Sequence, residues 1–227
     1  MSAQIQNPEL VSEYLQINDE VLFNKKNKVY FFVKRLLDIV LSLFALLVLL
    51  PFLVILAILI RVESPGNPVF TQTRVGKNGK EFKMYKFRSM CVDAEEKKKD
   101  LQRLNEEEGP VFKIREDPRI TKIGKFIRKF SIDELLQLIN ILKGEMSIIG
   151  PRPALPEEVK EYNDFARLRL MVKPGLSCYW QIMGRSDIGF YEWMQLDVKY
   201  INEMSLWTDF KITVLTFPVV LFGKGAY

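Results

Sequence analysis

The longest feature of the hydrophobic pattern is an uncharged apolar run of 22 residues, Ile39–Ile60. As an α-helix it would be about 33 Å long, which is enough to cross the hydrocarbon core of a bilayer. Pro51 lies in its middle and would kink such a helix. The run therefore predicts a membrane helix that either bends at Pro51 and returns, or crosses the bilayer straight. A buried core helix is a third interpretation, which this length disfavours.

Basic residues lie on both flanks of this run. They are Lys34 and Arg35 before it, and Arg61, Arg74, Lys77, Lys80 and Lys83 after it. Because segments rich in lysine and arginine stay in the cytoplasm, both ends of the helix are expected on the same side of the membrane. A re-entrant helix over residues 34–62, bent at Pro51, satisfies that rule, whereas a straight span does not. Residues 1–33 are expected to form an N-terminal extension with a short helix at Pro8–Phe23, and they do not have the pattern of a signal peptide.

Polar and apolar residues alternate in two short segments after the membrane run, Val69–Arg74 and Glu81–Phe87. This period of two is typical of strands, and glycines at both ends of Gly76–Gly79 favour a turn, so the pattern predicts a β-hairpin. Lys86 and Arg88 are two residues apart and would share one face of the second strand. They are candidate phosphate contacts, although a strand face solvated beside anionic lipid headgroups would also explain them.

Helical patterns fill most of the remaining chain. The predicted helices are Ala94–Glu108, Ile123–Lys129, Ser131–Lys143, Pro156–Met171, Trp193–Ile201 and Asp209–Phe222, with a turn at Lys173–Leu176. Gly144 has the position that ends a helix, and the apolar, aromatic last helix favours a location on the membrane surface. The predicted fold class is therefore α+β and mostly helical. A re-entrant membrane helix hairpin, a small β-hairpin and amphipathic interfacial helices would surround a cytosolic-face domain of residues 63–227.

Composition narrows the chemistry that the chain can perform. It has no histidine, which excludes a Ser-His triad, a histidine general base and every histidine-ligated metal site. Its two cysteines, Cys91 and Cys178, form no CxxC pair, so a structural zinc site is not expected. Any metal would be a hard, oxygen-bound ion such as Mg²⁺. The net charge of +5 is compatible with phosphorylated substrates, anionic lipid or nucleic acid.

Two adjacent carboxylates, Asp133 and Glu134, are the main candidates for catalysis. Their local sequence also has a structural interpretation, because Ser131 and Glu134 have the spacing of a capping box at a helix N-terminus. Carboxylates are electrostatically stable at that end of a helix. From the local sequence alone, the structural interpretation is the stronger one.

Two arginines favour a catalytic interpretation of the same pair. Arg128 precedes Asp133 by five residues, and Arg152 lies between two prolines that restrict its backbone. Arginine binds phosphate in a planar, bidentate manner. Carboxylates that face such arginines suit a metal-bound diphosphate, since they can hold the ion or attack phosphorus. Surface solvation is the alternative for each arginine taken by itself.

An ordered series of motifs from Lys34 to Tyr227 resembles a known family. The motifs are Lys34–Asp38, Pro65–Gly66, Phe70–Gly76, Tyr85–Met90, Asp117–Arg119, Ser131–Leu135, Lys143–Ser147, Gly150–Pro153, Lys173–Gly175 and Gly184–Arg185. Each motif alone is weak, but so many in this order are specific. The chain is similar to the monotopic polyprenyl-phosphate phosphoglycosyl transferases of the bacterial sugar transferase family. It resembles their small catalytic-domain form, without the large multi-span N-terminal domain of some relatives.

This resemblance implies an enzyme of the bacterial cytoplasmic membrane, with its catalytic domain on the cytoplasmic face among inner-membrane lipids. Asp133 would attack the sugar-bearing phosphate of a UDP-sugar, UMP would leave, and undecaprenyl phosphate would then accept the phosphosugar. Mg²⁺ would assist beside Asp133 and Glu134. Lys86, Arg128 and Arg152 match positions that look like phosphate contacts in the family.

The family's re-entrant helix bends near a proline, which favours a bend at Pro51. Two places depart from the family pattern. Leu50 precedes this proline where relatives often have serine, and Ser177–Gln181 differs from the Thr-Gly-Trp-Gln-like sequence expected there. Because the second segment is near the expected sugar or nucleotide site, the sugar and the glycan pathway stay open.

Two other classes of protein would have similar features. One is a non-catalytic, membrane-anchored scaffold of a polysaccharide assembly complex, and the other is a lipid-binding protein of the inner leaflet. Neither needs the carboxylate pair together with Arg128 and Arg152. A nucleic-acid partner is not expected, because the sequence has no groove-reading motif. The sequence leaves open whether the protein forms a homodimer.

Overall fold

The computed structural model of the chain describes residues 25–101, 103, 114, 117–184 and 188–222. The helices are α1 Lys25–Glu63, α2 Ala94–Leu101, α3 Lys122–Lys129, α4 Gln137–Lys143, α5 Pro156–Lys160, α6 Asp164–Arg167, α7 Tyr179–Met183, α8 Phe190–Glu203 and α9 Leu206–Phe222. The strands are β1 Val69–Val75, β2 Glu81–Phe87, β3 Ser147–Ile149 and β4 Gly175–Ser177. The helix predicted at Pro8–Phe23 lies outside the described residues. The mostly helical α+β class is confirmed.

The apolar run forms a long helix, as predicted. α1 has 39 residues and continues through Pro51, and its length and composition are sufficient for a membrane crossing. One stripe of its side chains packs on the rest of the molecule at helical spacing. The stripe consists of Asp38, Ser42, Leu46, Leu49, Leu53, Leu56 and Ile60. Most other apolar side chains of α1 are exposed.

α1 is tied to the domain near both ends. At the start, the Arg35 guanidinium donates hydrogen bonds to the carbonyl oxygens of Ile141 and Leu142, at 2.5 and 2.8 Å. These carbonyls belong to the last turn of α4, where backbone acceptors lack helical partners. At the end, the Glu63 carboxylate accepts a hydrogen bond from the backbone N–H of Ile123 at 3.0 Å. Glu63 thereby caps the N-terminus of α3.

The predicted β-hairpin is confirmed. β1 and β2 are antiparallel, with Val69 opposite Phe87 and Val75 opposite Glu81. The connecting turn contains Asn78 in the left-handed region, at φ 57°, where asparagine is better tolerated than most side chains. The hairpin places one side of β2 against the segment that carries the two adjacent carboxylates.

A second, parallel sheet was not predicted. β3 pairs with β4 through Ser147 opposite Gly175 and Ile149 opposite Ser177. Only a turn was predicted in the β4 region, because a three-residue strand is too short to show alternation. A Cβ at Gly175 would lie 2.0 Å from the backbone nitrogen of Gly150. These two backbone segments can therefore approach this closely only because Gly150 and Gly175 have no side chains.

Two predicted helices are divided in the structure. Pro156–Met171 contains α5, α6 and a 3₁₀ turn at Leu168–Met171. The division follows from Asn163, whose side-chain oxygen accepts a hydrogen bond from the N–H of Ala166 and starts α6. Ser131–Lys143 contains a 3₁₀ turn followed by α4, which ends as predicted at Gly144 with φ 82°.

The main hydrophobic core surrounds α8, which confirms and extends the helix predicted at Trp193–Ile201. Its largest members are Tyr162, Phe165, Trp193, Met194 and Tyr200. Ile212 anchors α9 to this core and is fully buried. The opposite side of α9 exposes Trp207, Phe210, Phe217 and Phe222. The segment Gly150–Pro153 is flanked on both sides by members of this core, the helix α7 contains another, and both contribute residues to the lining of a cleft.

Candidate active site

Asp133 and Glu134 lie in a 3₁₀ turn, Ile132–Glu134, between α3 and α4. The predicted capping box is wrong. Ser131 has a left-handed backbone, φ 52° and ψ 24°, and its side chain makes no cap hydrogen bond. A capping serine needs an extended backbone to direct its hydroxyl at the following N–H groups. The carboxylate pair is therefore held by a tight turn with an unusual backbone, a feature that concentrates at functional sites.

The Asp133 carboxyl group is buried, with 8% of the residue exposed. Its pKa is raised to about 6, mainly by burial and then by the negative charge of Glu134, and Lys86 and Arg128 oppose this rise. Asp133 is thus an acid that ionises close to neutral pH, with two cations near enough to stabilise its charged form. Such tuning is typical of carboxylates that take part in catalysis.

Lys86 joins the hairpin to the carboxylate pair. Its ammonium nitrogen lies 2.7 Å from Glu134 Oε1, and both side chains are largely buried. Arg128, near the end of α3, contributes positive charge to Asp133 and to Asp117. The structure therefore brings together four of the predicted site residues, which are separated by up to 48 positions in the chain.

Arg152 is held by aromatic rings and by a second arginine. The centre of its guanidinium lies 5.0 Å from the ring centroid of Trp180 and 5.9 Å from that of Trp193. Its backbone carbonyl accepts a hydrogen bond from Arg169 at 2.7 Å. A cation stacked on two indoles is immobilised while its outer edge stays available for an anion.

A small open cleft connects Lys86 and Glu134 with Arg152, whereas Asp133 and Arg128 are not among its lining residues. Its empty volume, including the mouth, is about 340 Å³. The lining residues are Arg74, Met84, Lys86, Glu134, Gln137, Arg152, Pro153, Gly175, Leu176, Cys178, Trp180 and Gln181. Three residues of the divergent Ser177–Gln181 segment line this cleft, namely Cys178, Trp180 and Gln181.

Arg74 is a cleft residue that the sequence analysis missed. Its guanidinium donates hydrogen bonds to the Pro153 carbonyl at 3.0 Å and to Gln72 Oε1 at 2.8 Å. Its buried Nε has no hydrogen-bond partner within the described part of the chain. Burial, followed by repulsion from Arg152, lowers the pKa of Arg74 to about 10. The sequence analysis treated Arg74 as a charge that flanks the membrane run, and the available signal was its position inside the family motif Phe70–Gly76.

Arg88 lies outside this cleft. Its guanidinium donates hydrogen bonds to the backbone carbonyls of Ser64 and Pro65, the latter at 3.3 Å. β2 ends at Phe87, so the alternation that would have placed Lys86 and Arg88 on one face does not continue. Arg88 instead anchors the turn that follows α1.

Comparison with known proteins gives a family match that covers most of the chain. The family model of the bacterial sugar transferases matches residues 29–223. The chain belongs to this family. The match includes every candidate site residue, so the cleft is part of the region that defines the bacterial sugar transferases.

Three curated relatives illustrate the similarity. The galactosyl transferase CpsE of Streptococcus agalactiae is 51% identical over 195 residues, which are 85% of this chain and 43% of CpsE. The undecaprenyl-phosphate galactose phosphotransferase of Salmonella typhimurium is 41% identical over 201 residues, 86% of this chain and 42% of the relative. The exopolysaccharide production protein ExoY of Rhizobium meliloti is 36% identical over 198 residues, which are 86% of this chain and 88% of ExoY. The chain thus spans less than half of the first two relatives and most of ExoY.

The oxygen donors of the cleft fit Mg²⁺ as a partner shared with a substrate. Within the described ranges, no three Asp, Glu or Cys side chains gather into a ready-made cage. Asp133 and Glu134 supply two adjacent carboxylates, and Mg²⁺ in phosphate-transfer sites is usually held by one or two carboxylates plus substrate phosphates and water. Glu134 already pairs with Lys86, so Asp133 and Glu134 would hold the ion only together with a phosphate.

Proposed function

We propose that this chain moves a sugar 1-phosphate from a UDP-sugar to undecaprenyl phosphate and releases UMP, the first step of a bacterial glycan or polysaccharide. One observation carries the proposal: a buried carboxylate, Asp133, is next to Glu134, which lines a cleft together with Lys86 and Arg152, and both Lys86 and Arg128 act on Asp133 with positive charge. Two relatives have names that describe this type of transfer: the undecaprenyl-phosphate galactose phosphotransferase of Salmonella typhimurium and the UDP-glucose:undecaprenyl-phosphate glucose-1-phosphate transferase of Escherichia coli. The sugar used by this chain is open.

The proposed reaction has two displacement steps at one phosphorus atom. A carboxylate oxygen of Asp133 attacks the sugar-bearing phosphorus, an oxygen–phosphorus bond forms, and the bond to the bridging oxygen breaks. The electron pair leaves on UMP. A phosphate oxygen of the acceptor then attacks the same phosphorus, and the bond to Asp133 breaks to restore the carboxylate. No histidine base is needed, because both nucleophiles are already anionic.

The cations of the cleft suit the charges of this reaction. A diphosphate brings negative charge that a water-poor site must compensate. Arg152 presents the outer edge of an immobilised guanidinium, and Arg74 lies next to it with a buried, unpartnered Nε. Lys86 lies on the carboxylate side of the cleft. Mg²⁺, when bound through Asp133 and Glu134, would supply further charge neutralisation of phosphate oxygens.

The attachment of α1 supports a monotopic arrangement. Arg35 and Glu63 contact the same domain from opposite ends of the helix, and the buried stripe continues on both sides of Pro51. A helix crossing the bilayer straight would separate its ends by about 30 Å of hydrocarbon. We therefore place both ends of α1 on the cytoplasmic face, with the bend at Pro51 and the exposed aromatic side of α9 in the interface.

UMP release tests the proposal directly. Purified protein is incubated with a panel of UDP-sugars and Mg²⁺, with and without undecaprenyl phosphate, and UMP is quantified. We expect multiple turnovers for at least one sugar only when the acceptor is present. Without acceptor, intact-protein mass spectrometry should show a single phosphosugar adduct. Absence of UMP release with every donor would favour the non-catalytic scaffold, and turnover without any adduct on Asp133 would reject the covalent route.

Replacing Lys86 with methionine is expected to change the pH dependence of the first step. The pKa of Asp133 is raised to about 6 by burial, and Lys86 is the largest influence that lowers it. The reactive carboxylate therefore forms as pH rises through about 6, and removing the ammonium should move this midpoint up by about one pH unit. Single-turnover UMP release between pH 5 and 8 measures the shift.

The plateau rate is not the readout, because Lys86 is also a proposed phosphate contact. Lys83→Met provides the matched control, since Lys83 lies on the same strand with an exposed side chain. Its midpoint should equal that of the unsubstituted protein. Equal midpoints for Lys86→Met and Lys83→Met would contradict the proposed electrostatic coupling.

A further inference from the structure

A second cavity lies beside the first turns of α1 and shares no lining residue with the cleft. Its empty volume, including the mouth, is about 950 Å³. The lining residues are Lys28, Phe31, Lys34, Arg35, Asp38, Lys77, Ser147, Ile149, Val172, Lys173, Tyr200 and Met204. None of them has a role in the reaction proposed above, and we refer to this space as the α1 cavity.

Positive charge dominates the lining of the α1 cavity. Five lining residues are basic, and Asp38 is the only acidic one. The Asp38 carboxylate already accepts hydrogen bonds from Ser147 Oγ at 3.1 Å and from the Ile148 N–H at 2.9 Å. Lys34 is neutralised from outside the lining by Asp209, at 2.7 Å. With Asp38 and Asp209 both counted, the five basic residues still give this lining a net positive charge.

Arg35 and Lys173 both line this cavity, and their cationic groups approach each other beside Gly144. A Cβ added to Gly144 would lie 3.4 Å from Arg35 Nη2 and 3.6 Å from Lys173 Nζ. Lys173 is half-buried, and burial, followed by repulsion from Arg35, lowers its pKa. The charge of Asp38 opposes this lowering but offsets it only in part, so a further anion beside the two cations would stabilise both. The geometry thus has the charge pattern of an anion site.

The rest of the lining has the character of a lipid contact. Phe31, Ile149, Val172 and Met204 supply apolar surface next to the cations. Immediately after Arg35, α1 exposes the apolar side chains that begin the membrane run, starting with Leu36 and Leu37. A basic cluster at the edge of an apolar helix is where anionic headgroups collect.

We propose that the α1 cavity binds the phosphate of an anionic phospholipid headgroup, with Arg35 and Lys173 as its charge partners and the apolar lining around the start of the lipid tails. The site would act as a lipid-dependent anchor of α1, because Arg35 also holds the last turn of α4. It does not depend on the reaction proposed for the cleft.

Lipid-dependent thermal stability tests this site. The purified full chain is placed in dodecyl maltoside micelles that contain increasing fractions of phosphatidylglycerol or phosphatidylcholine, and the unfolding temperature is recorded. We expect phosphatidylglycerol to raise this temperature saturably and phosphatidylcholine to leave it unchanged. In Lys173→Gln, the phosphatidylglycerol fraction needed for half of the effect should be about tenfold higher, as for loss of one charge-assisted contact.

Lys80→Gln is the matched control, because it removes the same charge from an exposed position outside the cavity. It should respond like the unsubstituted protein. An equal loss in Lys80→Gln and Lys173→Gln, or equal protection by both lipids, would overturn the proposal. Inorganic phosphate is added in a separate arm at constant ionic strength. Protection by phosphate alone, equal to that by phosphatidylglycerol, would overturn the lipid assignment in favour of a free-phosphate site.

Discussion

Asp133→Asn is expected to reduce UMP release by at least about 1,000-fold, because an amide cannot act as the nucleophile that the proposed first step requires. The same variant should form no phosphosugar adduct detectable by mass spectrometry. Substrate binding should persist, since Lys86, Arg152 and the other cations of the cleft are unchanged. A binding measurement with a UDP-sugar therefore separates loss of chemistry from loss of the site.

The stability of Asp133→Asn makes the result interpretable. Burial raises the pKa of Asp133 above its ordinary value to about 6, so the folded state retains the proton more strongly than the unfolded chain does. Stability contributed by this group is then present at low pH and is lost as pH rises through about 6. Asparagine removes that loss, so the unfolding temperature of the variant at pH 7.5 should equal or exceed that of the unsubstituted protein.

Asp164→Asn is the matched control for this experiment. Asp164 is exposed at the start of α6 and is not part of the cleft, so its variant should keep full turnover. Rates within a few-fold of each other for Asp133→Asn and Asp164→Asn would reject Asp133 as the nucleophile. Glu134 would then be the remaining carboxylate to test.

Features that depend on local sequence were predicted well. The hairpin follows from alternation within seven-residue segments, and α1 follows from an uninterrupted apolar run. Gly144 ends α4 because a left-handed residue closes the helix, which a single glycine signals. These predictions succeeded because each needed only neighbouring residues.

Features that depend on distant residues were missed. β3 and β4 are too short to show a pattern, and their pairing depends on the close approach of Gly150 and Gly175. Ser131 matched a capping box, but its left-handed backbone prevents the cap. The sequence matched the motif without revealing the conformation that the surrounding packing imposes.

The residues of the candidate site also separate into those that the sequence indicated and those whose role depends on distant contacts. Asp133, Glu134, Lys86 and Arg152 were candidates from their local sequence and from the family resemblance; in the structure Glu134, Lys86 and Arg152 line one cleft, and Asp133 is buried next to Glu134. Arg74 was missed because its role depends on contacts with Pro153, 79 positions away. The support behind Arg152 was also missed, because it consists of buried residues whose sequence pattern is that of an ordinary core helix.

The second prediction with a large expected effect concerns the buried residues that support Arg152. Arg169 and Asp197 form an ion pair at 2.7 Å, and both side chains are almost fully buried. Arg169 also donates to the Tyr162 hydroxyl at 2.6 Å and to the Arg152 carbonyl at 2.7 Å. Arg169→Met should lower the free energy of unfolding by about 3–5 kcal/mol, because the carboxylate of Asp197 is left buried without its ion-pair partner. For a chain of this size the unfolding temperature should fall by roughly 10 °C.

Arg167→Met is the control, because Arg167 is exposed in the same segment and makes one backbone hydrogen bond. Arg167→Met should lower the free energy of unfolding by less than about 1 kcal/mol. The loss in Arg169→Met should also grow with pH. Burial already raises the pKa of Asp197 to about 6 against the opposing charge of Arg169, and without that charge the pKa rises further. At acidic pH a proton neutralises the unpaired Asp197 carboxylate, so the variant loses less stability there than at pH 8, where the carboxylate is ionised.

The double variant Arg169→Met with Asp197→Leu separates stability from positioning. Replacing a buried ion pair with apolar side chains is often neutral for stability, so most of the unfolding temperature should return. UMP release should not recover with it, because the Arg152 carbonyl has lost its hydrogen bond and Trp193 has lost the guanidinium 4.6 Å from its ring centroid. Arg152 would then be less firmly held, which should raise KM for the UDP-sugar more than it lowers kcat. Full recovery of both stability and KM would show that Arg169 serves folding alone.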